Sequence, residues 1–122
     1  MTPEEERIVQ EVEKSQEAII DFASRLVAQP SVLGQEQSAV EVMDAELAKL
    51  GWQPKRVPIN PEELSGHPGF APVPWSCDNK ENVVAVRPAD QSGGKKLLFN
   101  GHLDVVSCEP VELSDIDPFQ PR

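Results

Sequence analysis

His102 and Asp104 are the residues whose types and spacing most favour chemistry in this 122-residue sequence. They follow an apolar run at 97–99, which predicts a buried strand that ends at Asn100. If the backbone stays extended, both side chains project from the same face, because successive strand residues alternate between faces. A metal-binding histidine typically donates its second ring N–H to a carboxylate, and Asp104 has the spacing to accept it. The tripeptide alone is common, and a surface histidine beside an acid is the simpler interpretation.

Composition excludes several classes of function. The chain has 21 acidic and 11 basic residues, a net charge of −10, which argues against binding to nucleic acid or to an anionic membrane surface. No apolar run approaches the roughly 20 residues that span a bilayer. The acidic N-terminus lacks the features of a signal peptide, so we predict a cytoplasmic protein. We expect Cys77 and Cys108 to be free thiols.

Two helices are predicted in the first half of the chain. The sequence Thr-Pro-Glu-Glu at 2–5 is typical of a helix start with a capping box, and apolar residues recur at helical spacing after it. This predicts one helix over 2–29, which ends there because Pro30 disfavours helical geometry in the preceding residue. A second helix is predicted over 35–50, with Gly51 free to adopt the left-handed conformation after its end.

The second half predicts strands and a long loop. Residues 53–59 contain two prolines and indicate an edge strand. Residues 60–81 are rich in proline and glycine, and we expect an ordered surface loop near the site. A strand over 82–87, apolar enough to be buried on both faces, is expected to pair with 96–100 in an antiparallel hairpin. The predicted fold is α/β, with two helices packed on a partial mixed sheet whose other face has no predicted cover.

The sequence around the histidine resembles a known family. Leu-Leu-Phe-Asn-Gly-His-Leu-Asp-Val-Val at 97–106 resembles the strand-end motif of the acetylornithine deacetylase and succinyl-diaminopimelate desuccinylase family of metal-dependent amidohydrolases and zinc peptidases. Further similar segments are Leu-Val-Ala-Gln-Pro-Ser at 26–31, Leu-Gly-Trp at 50–52, Asn-Val-Val-Ala at 82–85 and Asp-Pro-Phe at 117–119. The resemblance implies that residues 1–122 form the N-terminal portion of a zinc-exopeptidase-like catalytic domain, without a dimerisation domain.

The resemblance also implies a chemistry. The family has a two-metal site that holds Zn²⁺, or sometimes Co²⁺ or Mn²⁺, and His102 matches one of its metal ligands. Asp104 matches the catalytic-site carboxylate that orients this histidine. The implied reaction is hydrolysis of the linear amide bond of an N-acyl amino acid or small peptide, in a complete enzyme that is a homodimer.

Two departures from the family pattern bear on activity. The tryptophan that usually precedes Asp-Pro-Phe is replaced near Ser114, and the family's bridging aspartate, general base and distal histidine lie beyond Arg122. A catalytic zinc normally needs three protein ligands, so we expect the chain alone to be inactive. The alternative is a non-catalytic binding or regulatory module that keeps the scaffold. A thiol-dependent hydrolase that uses Cys108 is disfavoured, because no oxyanion-hole motif accompanies it.

Overall fold

The computed structural model of the chain describes residues 1–90, 93–108 and 117–121, and within them it shows a mixed α/β arrangement. In chain order the elements are α1 (Pro3–Lys14), α2 (Gln16–Val27), α3 (Gln37–Lys49), β1 (Lys55–Pro58), α4 (Pro61–Leu64) and β2 (Glu81–Val84). No helix in these ranges is long and apolar enough to cross a bilayer. The packing that matters for the site is that of α3 against both α2 and β2.

The predicted first helix starts as expected and is interrupted once. The Glu5 backbone N–H donates to Thr2 Oγ1 at 3.2 Å, and the Thr2 N–H donates to Glu5 Oε2 at 2.6 Å, which confirms the capping box. The prediction of one continuous helix is wrong, because Ser15 separates α1 from α2. The Ser15 N–H is shared between the carbonyls of Glu11 and Val12, both at 3.1 Å. Serine has a weak helical preference, which makes such a position a natural place for the break.

Helix α3 begins two residues later than predicted, and it ends just before Gly51, as the sequence predicted. Gly51 has a φ of +81°. The Gly51 N–H donates to the Ala48 carbonyl at 2.9 Å, and the Trp52 N–H donates to the Leu47 carbonyl at 3.0 Å. These two bonds define a Schellman motif, which satisfies carbonyls left open at a helix end.

An ion pair joins α2 to α3. Arg25 donates to the Glu46 carboxylate from one side and to Asp21 Oδ2 at 2.9 Å from the other. Glu46 is buried, and the hydrogen bond from Arg25 holds the pKa of its carboxyl below the usual value, with Lys49 contributing in the same direction. The pair therefore fixes the relative position of the two helices that border the α2–α3 connector, residues 28–36.

The sheet differs from the predicted one. Strand β2 pairs with β1, antiparallel, from Lys55 opposite Val84 to Pro58 opposite Glu81. The expected hairpin between 82–87 and 96–100 is therefore wrong. Strand β2 also ends at Val84, and its residues alternate between half-buried and exposed, whereas burial on both faces was expected. Strand β1 is therefore the hydrogen-bonding partner of β2, in the place of the expected partner at 96–100.

The apolar run at 97–99 is not a buried strand. Leu97, Leu98 and Phe99 are 81%, 93% and 87% exposed, and no strand is assigned to them. A strand requires a neighbour that accepts and donates its backbone hydrogen bonds, and within the described residues the sheet consists of β1 and β2 without this run. The apolar composition of the run indicates a preference for strand structure, but it does not indicate whether a pairing strand is present.

Few side chains are withdrawn from water. Ala39 and Val40 of α3 are the buried apolar residues within the described ranges. The accessible surface is 10623 Å² for a chain of 13.4 kDa. A compact monomer of this mass exposes roughly 6,500 Å² by the usual scaling of surface with mass. The fold thus leaves apolar surface, including the run at 97–99, available for further packing.

The proline-rich segment over 60–81 has structure of its own. The Asn60 side chain caps α4 by accepting from the Glu62 and Glu63 backbone N–H groups at 3.1 and 3.5 Å. The segment returns to the sheet through Asn79, whose φ is +58°, and the Ile59 N–H donates to the Lys80 carbonyl at 2.9 Å. The prediction of an ordered loop is confirmed, and the loop closes on the end of β1.

Candidate functional site

The α2–α3 connector holds the segment that carries His102 and Asp104. The Val105 N–H donates to the Ser31 carbonyl at 2.9 Å, and the Ser31 hydroxyl donates to the Leu103 carbonyl at 2.7 Å. Val32 and Val105 form an isolated parallel bridge, the only pairing assigned at this point in the described residues. These contacts position the segment although it does not form a strand.

The structure brings the two predicted site residues together. His102 Nδ1 lies 2.9 Å from the backbone carbonyl oxygen of Asp104 and 3.4 Å from its carboxylate Oδ1. The expected adjacency of imidazole and carboxylate is therefore present, and the backbone carbonyl makes the closer contact. The imidazole is 84% exposed, so the pair stands at the surface. Metal ligation by His102 and catalysis by Asp104 remain predictions.

The hydrogen bonds of the histidines define their tautomers. A carbonyl oxygen can only accept, so Nδ1 of His102 carries the proton that it donates to Asp104. In the neutral ring the lone pair is then on Nε2, which is the atom that a metal would take. His67 has the opposite arrangement, because its Nδ1 accepts the Gly69 N–H at 3.1 Å. The two rings thus differ in the nitrogen available for a metal.

Among the described residues, His102 is the one side chain assigned to a metal coordination position. Across residues 1–90, 93–108 and 117–121, no group of three or more histidine, cysteine or acidic side chains is arranged to hold a metal ion. Asp117 accepts the Phe119 N–H at 2.9 Å and so closes its own turn. Cys77 and Cys108 are free thiols, as expected. Ser114, at the position where the family usually has a tryptophan, lies outside the described residues, as do the acidic residues Glu109, Glu112 and Asp115.

Sequence reasoning missed a second set of contacts on the same connector. Lys80 Nζ donates to both carboxylate oxygens of Glu36 at 2.8 Å, and the Gly34 N–H donates to Glu36 Oε1 at 2.8 Å. Burial alone raises the pKa of Glu36, but the hydrogen bonds from Lys80 and Gly34 outweigh it, so the pKa lies below the usual value. No local pattern signals this pair, because its members lie 44 positions apart.

A shallow cavity of about 890 Å³ lies elsewhere, between the start and the end of the proline-rich loop. Its lining comes from residues 58–62 and 75–81 and from Gln37. His102 and Asp104 are not among the lining residues. The cavity therefore does not connect the loop to the pair, although the loop was expected near the site.

Comparison with known proteins agrees with the motif around His102. The chain is 35% identical over 103 residues to a succinyl-diaminopimelate desuccinylase of Erythrobacter litoralis (strain HTCC2594), a match that covers 84% of this chain and 24% of that protein. It is 31% identical over 105 residues to the protein of the same name from Burkholderia ambifaria (strain MC40-6), covering 85% and 23%. For that of Variovorax paradoxus (strain S110) the identity is 29% over 103 residues, covering 84% and 23%.

The chain spans about a quarter of the length of these curated relatives. No family model matches the sequence, and no solved structure matches it. The alignments extend over more than four fifths of the chain, so they necessarily include α3, the α2–α3 connector and His102. These matches support the family that the motif around His102 resembles, that of the succinyl-diaminopimelate desuccinylases.

Proposed function

We propose that this chain is part of a metal-dependent hydrolase that cleaves the linear amide bond of N-acyl amino acids or small peptides, with an N-succinyl amino acid as the first substrate to test. The observation that carries the proposal is the hydrogen bond from His102 Nδ1 to the Asp104 carbonyl at 2.9 Å. This bond fixes the tautomer that presents Nε2 to a metal. The names of the related proteins support a desuccinylase-type reaction.

His102 and Asp104 have distinct roles in this proposal. His102 binds one metal ion through Nε2, and Asp104 orients the ring through its carbonyl and, at 3.4 Å, its carboxylate. The chemistry that Zn²⁺, Co²⁺ or Mn²⁺ supplies when bound is polarisation of the scissile carbonyl and activation of water. The single N–H proton of the neutral ring is on Nδ1 in this arrangement, which leaves the lone pair on Nε2 for the metal.

Turnover is proposed to need residues besides these two. A catalytic zinc normally takes three protein ligands, and the described residues offer one coordination position. We therefore expect this chain to respond to metal at His102 without hydrolysing substrate. A homodimeric complete enzyme is the accompanying proposal from the family resemblance, and the cytoplasmic location remains a prediction.

A zinc titration followed by ¹⁵N NMR of the imidazoles tests the proposal. Zn²⁺ is expected to shift Nε2 of His102 and to leave His67 unchanged over the same range, because the His67 lone pair faces the Gly69 N–H. His67→Gln serves as the matched control for His102→Gln, which is expected to abolish the response. A Zn²⁺ response of equal size at both rings, or none at His102, contradicts the assigned role.

A hydrolysis assay tests the second part. The chain with Zn²⁺ and an N-succinyl amino acid is expected to show no more amide cleavage than the His102→Gln variant. Cleavage by the chain that disappears in His102→Gln would show that the site is more complete than proposed. Cleavage that persists in His102→Gln would remove His102 from the reaction.

A further inference from the structure

Ser31 is the most buried polar residue in the described ranges, with 3% of its surface exposed. All of its polar groups take part in hydrogen bonds. Its N–H donates to the Gln29 carbonyl at 2.7 Å, its carbonyl accepts the Val105 N–H at 2.9 Å, and its hydroxyl donates to the Leu103 carbonyl at 2.7 Å. The first bond fixes Ser31 at the end of α2, and the other two reach the site segment.

The two long-range bonds of Ser31 hold the peptide units on both sides of Asp104. The Leu103 carbonyl belongs to the peptide that precedes Asp104, and the Val105 N–H belongs to the peptide that follows it. Peptide units are planar, so fixing one atom of each plane restricts the backbone dihedral angles of Asp104. Ser31 therefore determines how Asp104 is presented.

The second of these peptides also carries the acceptor for His102. In a trans peptide the N–H and the C=O point in opposite directions. The Val105 N–H points to Ser31, so the Asp104 carbonyl of the same unit points away from Ser31, to His102 Nδ1 at 2.9 Å. The orientation of the acceptor for the imidazole is thus set by a residue that does not touch the imidazole.

We propose that Ser31 is a positioning residue for the metal-ligating histidine, acting through the Asp104 backbone to keep the proton of His102 on Nδ1 and the lone pair on Nε2. The inference rests on the proposed function, because a metal at His102 is the reason for selecting a tautomer. The tautomer itself can be measured in the absence of metal. In this role the Ser31 hydroxyl acts as a hydrogen-bond donor to the Leu103 backbone carbonyl.

The experiment measures the imidazole ¹⁵N shifts of the full chain at a pH where both rings are neutral, without metal. Ser31→Ala removes the bond to Leu103, and Ser31→Cys keeps the size of the side chain but is a weak donor. Both are expected to move His102 towards the Nε2–H tautomer that a free imidazole prefers in water, and to speed amide exchange at Val105. His67 reports in the same spectrum and is expected to stay unchanged.

Ser31→Thr keeps the hydroxyl and is expected to restore the His102 signals. Ser38→Ala, at a half-buried serine in the first turn of α3, is the matched control and is expected to leave them as in the parent chain. Zinc titration of the same variants is expected to show about a tenfold loss of affinity in Ser31→Ala, as is typical when a group that orients a ligand is removed.

The outcomes separate this inference from the proposed function. If Zn²⁺ does not act at His102 in the parent chain but Ser31→Ala still changes the tautomer, the function fails and the positioning role stands. If Zn²⁺ acts at His102 and the tautomer is unchanged in Ser31→Ala and Ser31→Cys, the positioning role is overturned. Loss of helical circular dichroism in both variants would make Ser31 a purely structural residue and would equally overturn it.

Discussion

Replacing Lys80 with methionine removes an ammonium group and keeps most of the apolar stem of the side chain. In the parent chain that ammonium donates to both oxygens of Glu36 at 2.8 Å. The pair joins the turn before β2 to the residue that precedes α3, the same connector that holds Ser31. Its loss should therefore be measurable as a loss of stability of the folded chain.

The loss of stability expected for Lys80→Met lies between the values typical of buried and of exposed ion pairs. Deleting one partner of a buried ion pair costs about 3–5 kcal/mol, and exposed pairs contribute about 0–1 kcal/mol. The side chains of Lys80 and Glu36 are 18% and 19% exposed, and the Gly34 N–H still donates to Glu36 in the variant. We expect Lys80→Met to lower the free energy of unfolding by about 2 kcal/mol at pH 7. With a urea slope of about 1–3 kcal/mol per molar, the midpoint should fall by roughly 1 M.

The pH dependence gives a second check. Burial raises the pKa of Glu36, but hydrogen bonds from Lys80 and Gly34 lower it further than burial raises it. A lowered pKa contributes stability that is present above the carboxyl's reference value of 4.5 and is lost as pH falls through the folded value. The difference in the free energy of unfolding between the parent chain and Lys80→Met should thus be largest at pH 7 and should shrink below pH 4.5. In the variant, ¹³C NMR should find a higher pKa for Glu36 than in the parent chain, because the hydrogen bond from Lys80 no longer opposes the effect of burial.

Lys14→Met is the matched control. Lys14 Nζ lies 2.6 Å from Glu11 Oε1, a similar contact, but both side chains are exposed to solvent. Its removal is expected to cost no more than about 0.5 kcal/mol. The reasoning is refuted if Lys80→Met loses no more stability than Lys14→Met, or if its loss is the same at pH 3 as at pH 7.

Three further substitutions test individual elements by urea or thermal unfolding. Thr2→Ala removes the capping box and should cost about 1 kcal/mol and helical signal in α1, whereas an unchanged signal would show that the cap contributes nothing. Gly51→Ala should cost about 1–2 kcal/mol from its φ of +81° alone, since no atom lies within 4 Å of an added Cβ; a neutral effect would contradict the left-handed turn. Leu98→Lys should change stability by less than about 0.5 kcal/mol, because Leu98 is 93% exposed, and a larger loss would place this side chain in a packed environment.

The features that sequence predicted well depend on residues close together in the chain. The capping box joins positions three apart, and the Schellman motif at Gly51 is complete within six residues. The adjacency of His102 and Asp104 is of the same kind, because a spacing of two residues brings the groups together in an extended segment. Such features follow from backbone geometry and need no knowledge of the rest of the fold.

The features that sequence missed depend on partners far along the chain. The run at 97–99 has strand composition, but a strand exists only beside a neighbour, and β2 pairs with β1 instead. The contacts of Ser31 and of Lys80 likewise leave no local pattern. The break at Ser15 was also missed, although it is local. A serine within a helical pattern is usually tolerated, and only its backbone hydrogen bonds reveal the interruption.

The hydrogen bond between Ser31 and Leu103 joins positions 72 apart, which has a consequence for the order of folding. The entropic cost of closing a loop grows with its length, and contacts of large sequence separation slow folding. The capping box at Thr2 can form as soon as its helix does, but the Ser31 contact requires two distant parts of the chain to be brought together. The backbone around Asp104, which accepts the hydrogen bond from His102, is therefore expected to become fixed later in folding than the helix cap.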